Sequence, residues 1–283
     1  MATLRQLRNR VTGVKNIQKV THAMQLVAAA RVRKAQDAIL AARPYADQLD
    51  RILQRLTASI DAERHPLFRQ GESGRTAVAV VTADRGLCGG FNAGICRRVL
   101  PELEERGEVE LIAVGRKGRD FFRQRGFTIS REYVDVFGDL NLGQAVSIAR
   151  DLTARFMSGD VDEVWIANNE FLSLARQEPA MNRLLPVSSR ETDDESPSGE
   201  YIFEPGPEQL LETLVPRHVN FQVWRALLES NAGEQAARMA AMDNATRNAG
   251  DLIEDLTREM NKVRQSSITL ELMDIIGGAE AVA

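Results

Sequence analysis

Cysteine is nearly absent: Cys88 and Cys96 are the only two among 283 residues. No Cys/His cluster lies near either, which excludes a disulfide framework and a zinc site, so both are read as reduced thiols. Aromatic residues make up 5% of the chain, and none precedes Tyr45 in the basic N-terminal stretch. The stacking surface that nucleic acid would need there is missing. His22, His65 and His218 lie far apart, and no serine or cysteine sits in a nucleophile elbow, so neither a catalytic triad nor a metal set is legible. No run of eighteen apolar residues exists to cross a membrane. Arg5, Arg8 and Arg10 have no apolar block behind them, which argues against a secretory signal and for a soluble, cytoplasmic protein. Proline is missing after Pro216.

What is present there is a long repeat. Met239, Met242, Thr246, Ala249, Ile253, Leu256, Met260, Val263, Ser267 and Leu270 recur at alternating steps of three and four, the spacing of a coiled-coil seam. A helix from Pro207 to Ile276 would be ~100 Å long at 1.5 Å per residue, more than a compact domain uses, so it needs a partner along its length. The N-terminal stretch from Thr3 to about Ile60 supplies one through Leu4, Leu7, Val11, Val14, Ile17, Met24, Val27, Ala28, Val32, Ala35, Ile39, Ala42, Leu49, Leu53 and Leu56. The spacing slips near residues 17–28, which predicts locally altered winding, and Pro44 predicts a kink. Residues 1–60 hold eleven Lys/Arg against three Asp, while residues 207–276 hold eleven Asp/Glu against seven Lys/Arg. Opposite charge selects this pairing more than it stabilises it, because each exposed pair contributes only about 0–1 kcal/mol.

Between the helices the pattern changes. Thr76–Thr82 reads as a strand buried on both faces, with further strands at Val109–Val114 and Val161–Ala167. Helices are expected from about Asn92, at Arg116–Gln124 and at Leu142–Met157. Alternating strands and helices give a mainly parallel, Rossmann-like α/β domain, and Tyr201–Pro205 reads as an edge strand. The division is therefore residues 1–62 as the first helix, 76–205 as the α/β domain and 207–283 as the last helix. Because both helices leave one domain, they pair antiparallel. Leu56 then lies level with Leu210 and Leu4 near Lys262, so the C-terminal end projects alone. Ile268, Leu270, Leu272, Met273, Ile275 and Ile276 make that end apolar on several faces, a surface that other subunits would sheathe.

The loop Asp84-Arg-Gly-Leu-Cys-Gly-Gly-Phe91 joins a strand to a helix N-terminus, a place where anions bind. Gly86, Gly89 and Gly90 match neither G-x-G-x-x-G nor G-x-x-x-x-G-K-[ST], so a tight structural turn is favoured over a phosphate site. Asp193, Asp194 and Glu195, beside Ser196-Pro-Ser-Gly199, read as a solvated loop rather than a metal site. No catalytic centre, cofactor site or metal site is read from the residues.

Four stretches in order carry a resemblance to one family: Ile17–Ala30 (IQKVTHAMQLVAAA), Asp84–Asn92 (DRGLCGGFN), Glu234–Ala245 (EQAARMAAMDNA) and Ile268–Ala281 (ITLELMDIIGGAEA). Over its whole length the chain resembles the gamma subunit of F-type ATP synthases. The resemblance implies a non-catalytic rotor shaft. Its coiled coil would stand inside a ring of alpha and beta subunits, with its α/β domain near the epsilon subunit and the membrane c-ring. Ion-driven rotation would then drive ATP synthesis, or run in reverse with hydrolysis, at the beta subunits. It also implies a peripheral place on the cytoplasmic face of a bacterial plasma membrane.

By motif match the resemblance places Met24 opposite the beta-subunit lever, with Arg31, Arg33 and Lys34 as a basic flank toward acidic beta-subunit loops. Arg264, Gln265 and Thr269 fall where members make polar contacts with the ring, and Tyr201 and Phe203 near epsilon and the c-ring. His22 stands where lysine is expected, which reduces the basic flank at neutral pH. The cysteine-bearing insertion of chloroplast members has no counterpart. Coiled-coil periodicity alone leaves a free-standing scaffold level with a rotor, and an α/β enzyme with a helical arm would require ligand binding at Gly86–Gly90.

Overall fold

The computed structural model describes residues 3–59, 65–69, 71, 74–187, 204 and 206–280. The elements run α1 (Leu4–Ser59), a 3₁₀ turn (Pro66–Phe68), β1 (Thr76–Val81), α2 (Phe91–Glu105), β2 (Val109–Val114), α3 (Arg116–Arg123), β3 (Ile129–Tyr133), α4 (Leu142–Met157), β4 (Glu163–Phe171), β5 (Gln177–Leu185) and α5 (Pro207–Glu280). The expected edge strand at 201–205 lies outside the described residues, apart from Glu204. Two compact units form, Met1–Ala29 with Arg238–Ala283 and Ala30–Ala237, and each is described separately.

The unit Ala30–Ala237 holds a five-stranded sheet in the order β3-β2-β1-β4-β5. β1 lies parallel to β2 and β4, β2 is parallel to β3, and β5 is antiparallel to β4. Side-chain alternation in the fully buried β1 explains its two-sided burial. Val78 and Val80 join Ile95, Val99, Leu111 and Phe122 on one face. Ala77, Ala79 and Val81 join Ile148, Leu152, Leu53, Leu56, Leu211 and Val215 on the other. Parts of α1 and α5 thus serve as layers of the α/β unit. Here the ring of Tyr45 meets that of Phe221 at 5.1 Å, and Asp50 Oδ1 lies 3.0 Å from His218 Nδ1, an antiparallel setting like the expected one.

Thr82 closes the carboxyl end of β1. Its Oγ1 accepts from the Gly118 amide at 2.8 Å and donates to the Val114 carbonyl at 3.2 Å. Gly115 is required beside it: its φ is +99°, and a Cβ there would sit 2.1 Å from the Thr82 carbonyl oxygen.

In the other unit, Leu7, Val11 and Leu256 form a buried cluster supported by Val14, Ile253, Met260 and Val263. The seam of α1 corrects the expected slip. Leu4, Leu7, Val11, Val14, Gln18, Thr21, Gln25 and Ala28 are all buried or half-buried and alternate by three and four without interruption. The apparent slip arises from following apolar residues: Ile17, Val20 and Val27 point outward, 59%, 58% and 54% exposed. The heptad is unbroken, but its content turns polar. On α5 the repeat stays covered from Met239 to Val263, and residues 264–276 are then exposed throughout.

Candidate interaction surfaces

In a doubly wound sheet, ligands bind beyond the carboxyl ends of the strands where the strand order reverses. Here that point lies between β1 and β4, and the glycine loop after β1 borders it. The loop is closed by its own hydrogen bonds. Asn92, in the first turn of α2, accepts from the Ala83 amide through Oδ1 at 2.8 Å. Its Nδ2 reaches Cys88 Sγ at 3.2 Å and the Arg85 carbonyl at 3.4 Å, and Asp84 Oδ1 accepts from the Arg116 amide at 3.1 Å. Leu87, with φ +63°, projects outward.

The crevice beside this loop is filled by α5. Ala237 packs on Ala83, Cys88 and Phe91. Gly233 comes so near that a Cβ on it would lie 3.3 Å from Phe91 Cε2 and 3.4 Å from Gln177 Cγ. Glu234 is 5% exposed and accepts from Gln235 Nε2 at 3.0 Å. Helix α5 thus packs against the loop through Gly233 and Ala237, which argues against the enzyme reading. Nothing in the sequence pattern beyond a run of small residues signals this docking.

Two other features carry little chemistry. A polar cleft of about 510 Å³ is lined by α1, β4, β5 and α5. Its charged residues include Asp50 paired with His218 at 3.0 Å and Arg225 paired with Glu229 at 2.8 Å. Cys96 lies in the core, where burial pushes its thiol up to about 12 against a smaller opposing pull from Arg125; it is no nucleophile at neutral pH. Among the described residues no group of His, Cys, Asp and Glu is arranged to hold a metal ion, and no helix is long and apolar enough to cross a membrane.

The residues expected to meet partners fall into separate groups. Met24 is half-buried, in line with Ile17, Val20 and Val27 at steps of three and four, so it belongs to an outward apolar stripe beside the seam. Arg31, Arg33 and Lys34 are all exposed on the part of α1 that belongs to the α/β unit. Arg264, Gln265 and Thr269 are exposed on α5, with Thr269 Oγ1 donating to the Gln265 carbonyl at 3.0 Å. Because Gln25 pairs with Asp243, Met24 lies about 30 Å along α5 from Arg264, so one contact cannot engage both. Tyr201 and Phe203 lie outside the described residues.

An α/β unit whose ligand crevice is filled by its own helix, together with paired helices that carry bare apolar surface, defines a protein that works through contacts with other chains. A family model described as ATP synthase matches residues 3–282. Curated relatives called ATP synthase gamma chain are 44% identical in Pelotomaculum thermopropionicum, over all of both chains, and 44% identical in Chlorobaculum parvum, over all of this chain and 99% of the relative. The chain belongs to the ATP synthase gamma-chain family. A solved chain from the Euglena gracilis mitochondrial ATP synthase shares the fold with TM-score 0.69, 20% identity and coverage of 99% of this chain and 94% of that one. A chain from the central stalk and c-ring of the Tetrahymena thermophila enzyme gives TM-score 0.61 at 24% identity, over 80% of this chain and 99% of that one.

Proposed function

We propose that this chain is the central rotor shaft of an F-type ATP synthase, coupling ion-driven rotation of a membrane c-ring to ATP synthesis or hydrolysis at the beta subunits. It is a non-catalytic subunit. Alpha and beta subunits surround its paired helices, and the epsilon subunit and c-ring meet its α/β unit. The complex sits peripherally on the cytoplasmic face of the bacterial plasma membrane.

The observation that carries this reading is bare apolar surface on paired helices. Ile268, Leu270, Leu272, Met273, Ile275 and Ile276 are 49–68% exposed on α5 beyond the seam, and the stripe of Ile17, Val20, Met24 and Val27 lies on α1. Water disfavours such surface unless other chains cover it. An apolar sleeve contact also suits rotation, since it has no directional hydrogen bonds to fix one angle. Met24, Arg264, Gln265 and Thr269 serve as contacts with the ring. Arg31, Arg33 and Lys34 meet acidic beta-subunit loops through exposed ion pairs that break and reform at little cost. Tyr201 and Phe203 meet epsilon and the c-ring.

Native mass spectrometry of the complex from its host at low salt, with an ATPase assay alongside, tests the reading. One copy held within an alpha/beta ring, with coupled hydrolysis lost on its removal, is the expected result. A self-contained homo-oligomer without ATPase partners would overturn it and favour the scaffold.

A further inference from the structure

The unit formed by residues 1–29 and 238–283 has an inverted stretch. Where the seam should be apolar, Thr21 Oγ1 meets Thr246 Oγ1 at 2.8 Å, Gln25 Nε2 donates to Asp243 Oδ1 at 2.9 Å, and Gln18 Nε2 approaches the Thr246 carbonyl at 3.5 Å. Asp243 is also held by Arg247 on its own helix at 2.8 Å. Gly250 lies against Gln18, with a Cβ position 3.3 Å from Nε2, so a larger residue there would crowd the amide. All of these groups except Arg247 are half-buried, and each needs a partner in the interface.

We infer that Gln18, Thr21, Gln25, Asp243 and Thr246 are positioning residues that lock the two helices into one register. The inference does not depend on the rotor reading. A coiled coil closed only by Leu, Val, Ile and Met discriminates weakly between settings one heptad apart, because those side chains interchange across the interface, whereas one polar layer is satisfied in a single setting. A slip of seven residues moves one helix about 10 Å along the other. In one direction it sets Thr21 against Ile253 and Thr246 against Ala28; in the other it sets Thr21 against Met239 and Thr246 against Val14. Either way both threonine hydroxyls meet apolar side chains and lose their partners; in the second direction Gln18 comes opposite Asp243 in place of Gln25, so the threonine pair carries most of the discrimination. In a shaft that carries load, such a slip would shift every ring contact along α5 relative to α1, so the lock holds the two sets of contacts in phase.

The test is cysteine cross-linking in the full-length chain. Val14 and Ile253 belong to one packed group, so the Val14→Cys/Ile253→Cys pair reports the native register. The Val14→Cys/Met260→Cys and Leu7→Cys/Ile253→Cys pairs report slips of one heptad in the two directions. Each pair is oxidised in the natural background and in a variant carrying Gln18→Leu, Thr21→Val, Gln25→Leu, Asp243→Leu and Thr246→Val. The slipped disulfides are expected to rise by about tenfold or more in that variant, with helix content retained. Exclusive formation of the native disulfide in the helical variant would overturn the inference. Should the fivefold variant lose helix content, the Thr21→Val/Thr246→Val variant decides by the same comparison.

Discussion

Replacing Gly233 tests whether α5 seals the crevice at the end of β1. A methyl group at this position meets side-chain atoms only, Phe91 Cε2 at 3.3 Å and Gln177 Cγ at 3.4 Å, so both neighbours can move by a few tenths of an ångström. Alanine also gains about 0.5–1 kcal/mol over glycine in a helix interior. Gly233→Ala is therefore expected to be near neutral. Gly233→Val adds two further methyl groups to filled space, an overpacking that costs about 1–3 kcal/mol. If that cost falls on the docked state, local opening rises by about 5- to 140-fold at 1.4 kcal/mol per factor of ten. Cys88 reads it directly, since it is 2% exposed and shares its cluster with Ala237. Cys96, 1% exposed in a separate cluster, is the internal control. Maleimide labelling followed by mass spectrometry should find Cys88 accelerated in Gly233→Val and Cys96 unchanged. Equal acceleration of both thiols would indicate general unfolding, and an unchanged Cys88 rate would show that α5 is not what covers it.

Three further outcomes are expected. His65 Nδ1 accepts from the Leu67 amide at 3.2 Å, and burial lowers its pKa against a smaller raising pull from Glu212. The unfolded chain then binds a proton that the folded chain refuses, so its contribution is full above about pH 6.5 and is lost as pH falls below that value; denaturation of wild type and His65→Asn across pH should differ in slope only there. Substituting Arg31, Arg33 and Lys34 by glutamine should weaken coupling of ATPase to ion pumping by about a few fold per residue at most, with the deficit shrinking as salt rises. A deficit unaffected by salt would argue against ion pairing. Deleting residues 274–283 should lower coupled activity or assembly while leaving the thermal midpoint of the α/β unit unchanged, since Asp274, Ile275 and Ile276 are exposed; a fallen midpoint would place the tail against that unit.

Most of the α/β architecture is legible in the sequence, because β1, β2 and most of β4 are apolar strands with helix-period segments between them. β3 and β5 are not. In β3 the residues Ser130, Arg131 and Glu132 are exposed, and β5 carries Pro179 among half-buried positions. Both are edge strands, where charge and proline are tolerated because one side of the ladder is unpaired, so no buried run marks them. The same bias toward apolar residues hid the polar layer: the heptad continues through Gln18, Thr21 and Gln25, and following it by position instead of by hydrophobicity reveals the seam. The docking of Gly233 and Glu234 leaves no such trace, since packing distant in sequence makes the contact.

These two hidden features bear on one mechanical problem. A chain that acts through its helices must fix them to something and keep them in phase. The crevice of the α/β unit, which in a nucleotide-binding protein would receive a ligand, here receives α5 itself. The end of β1 is thereby used to grip a helix, and Gly233 lets that helix approach to side-chain contact with Phe91 and Gln177. In the other unit the apolar seam is narrow, so polar groups that cannot interchange add selectivity between registers to that set by the packing of α1 on α5 in the α/β unit. Stability and register are then divided between kinds of side chain: Leu7, Val11 and Leu256 hold the helices together, and the pairs Thr21–Thr246 and Gln25–Asp243 favour one setting along their length. The outward stripe of Ile17, Val20 and Val27 follows from the same division. Polar residues hold the seam positions over this stretch, which leaves the apolar surface free to face a partner.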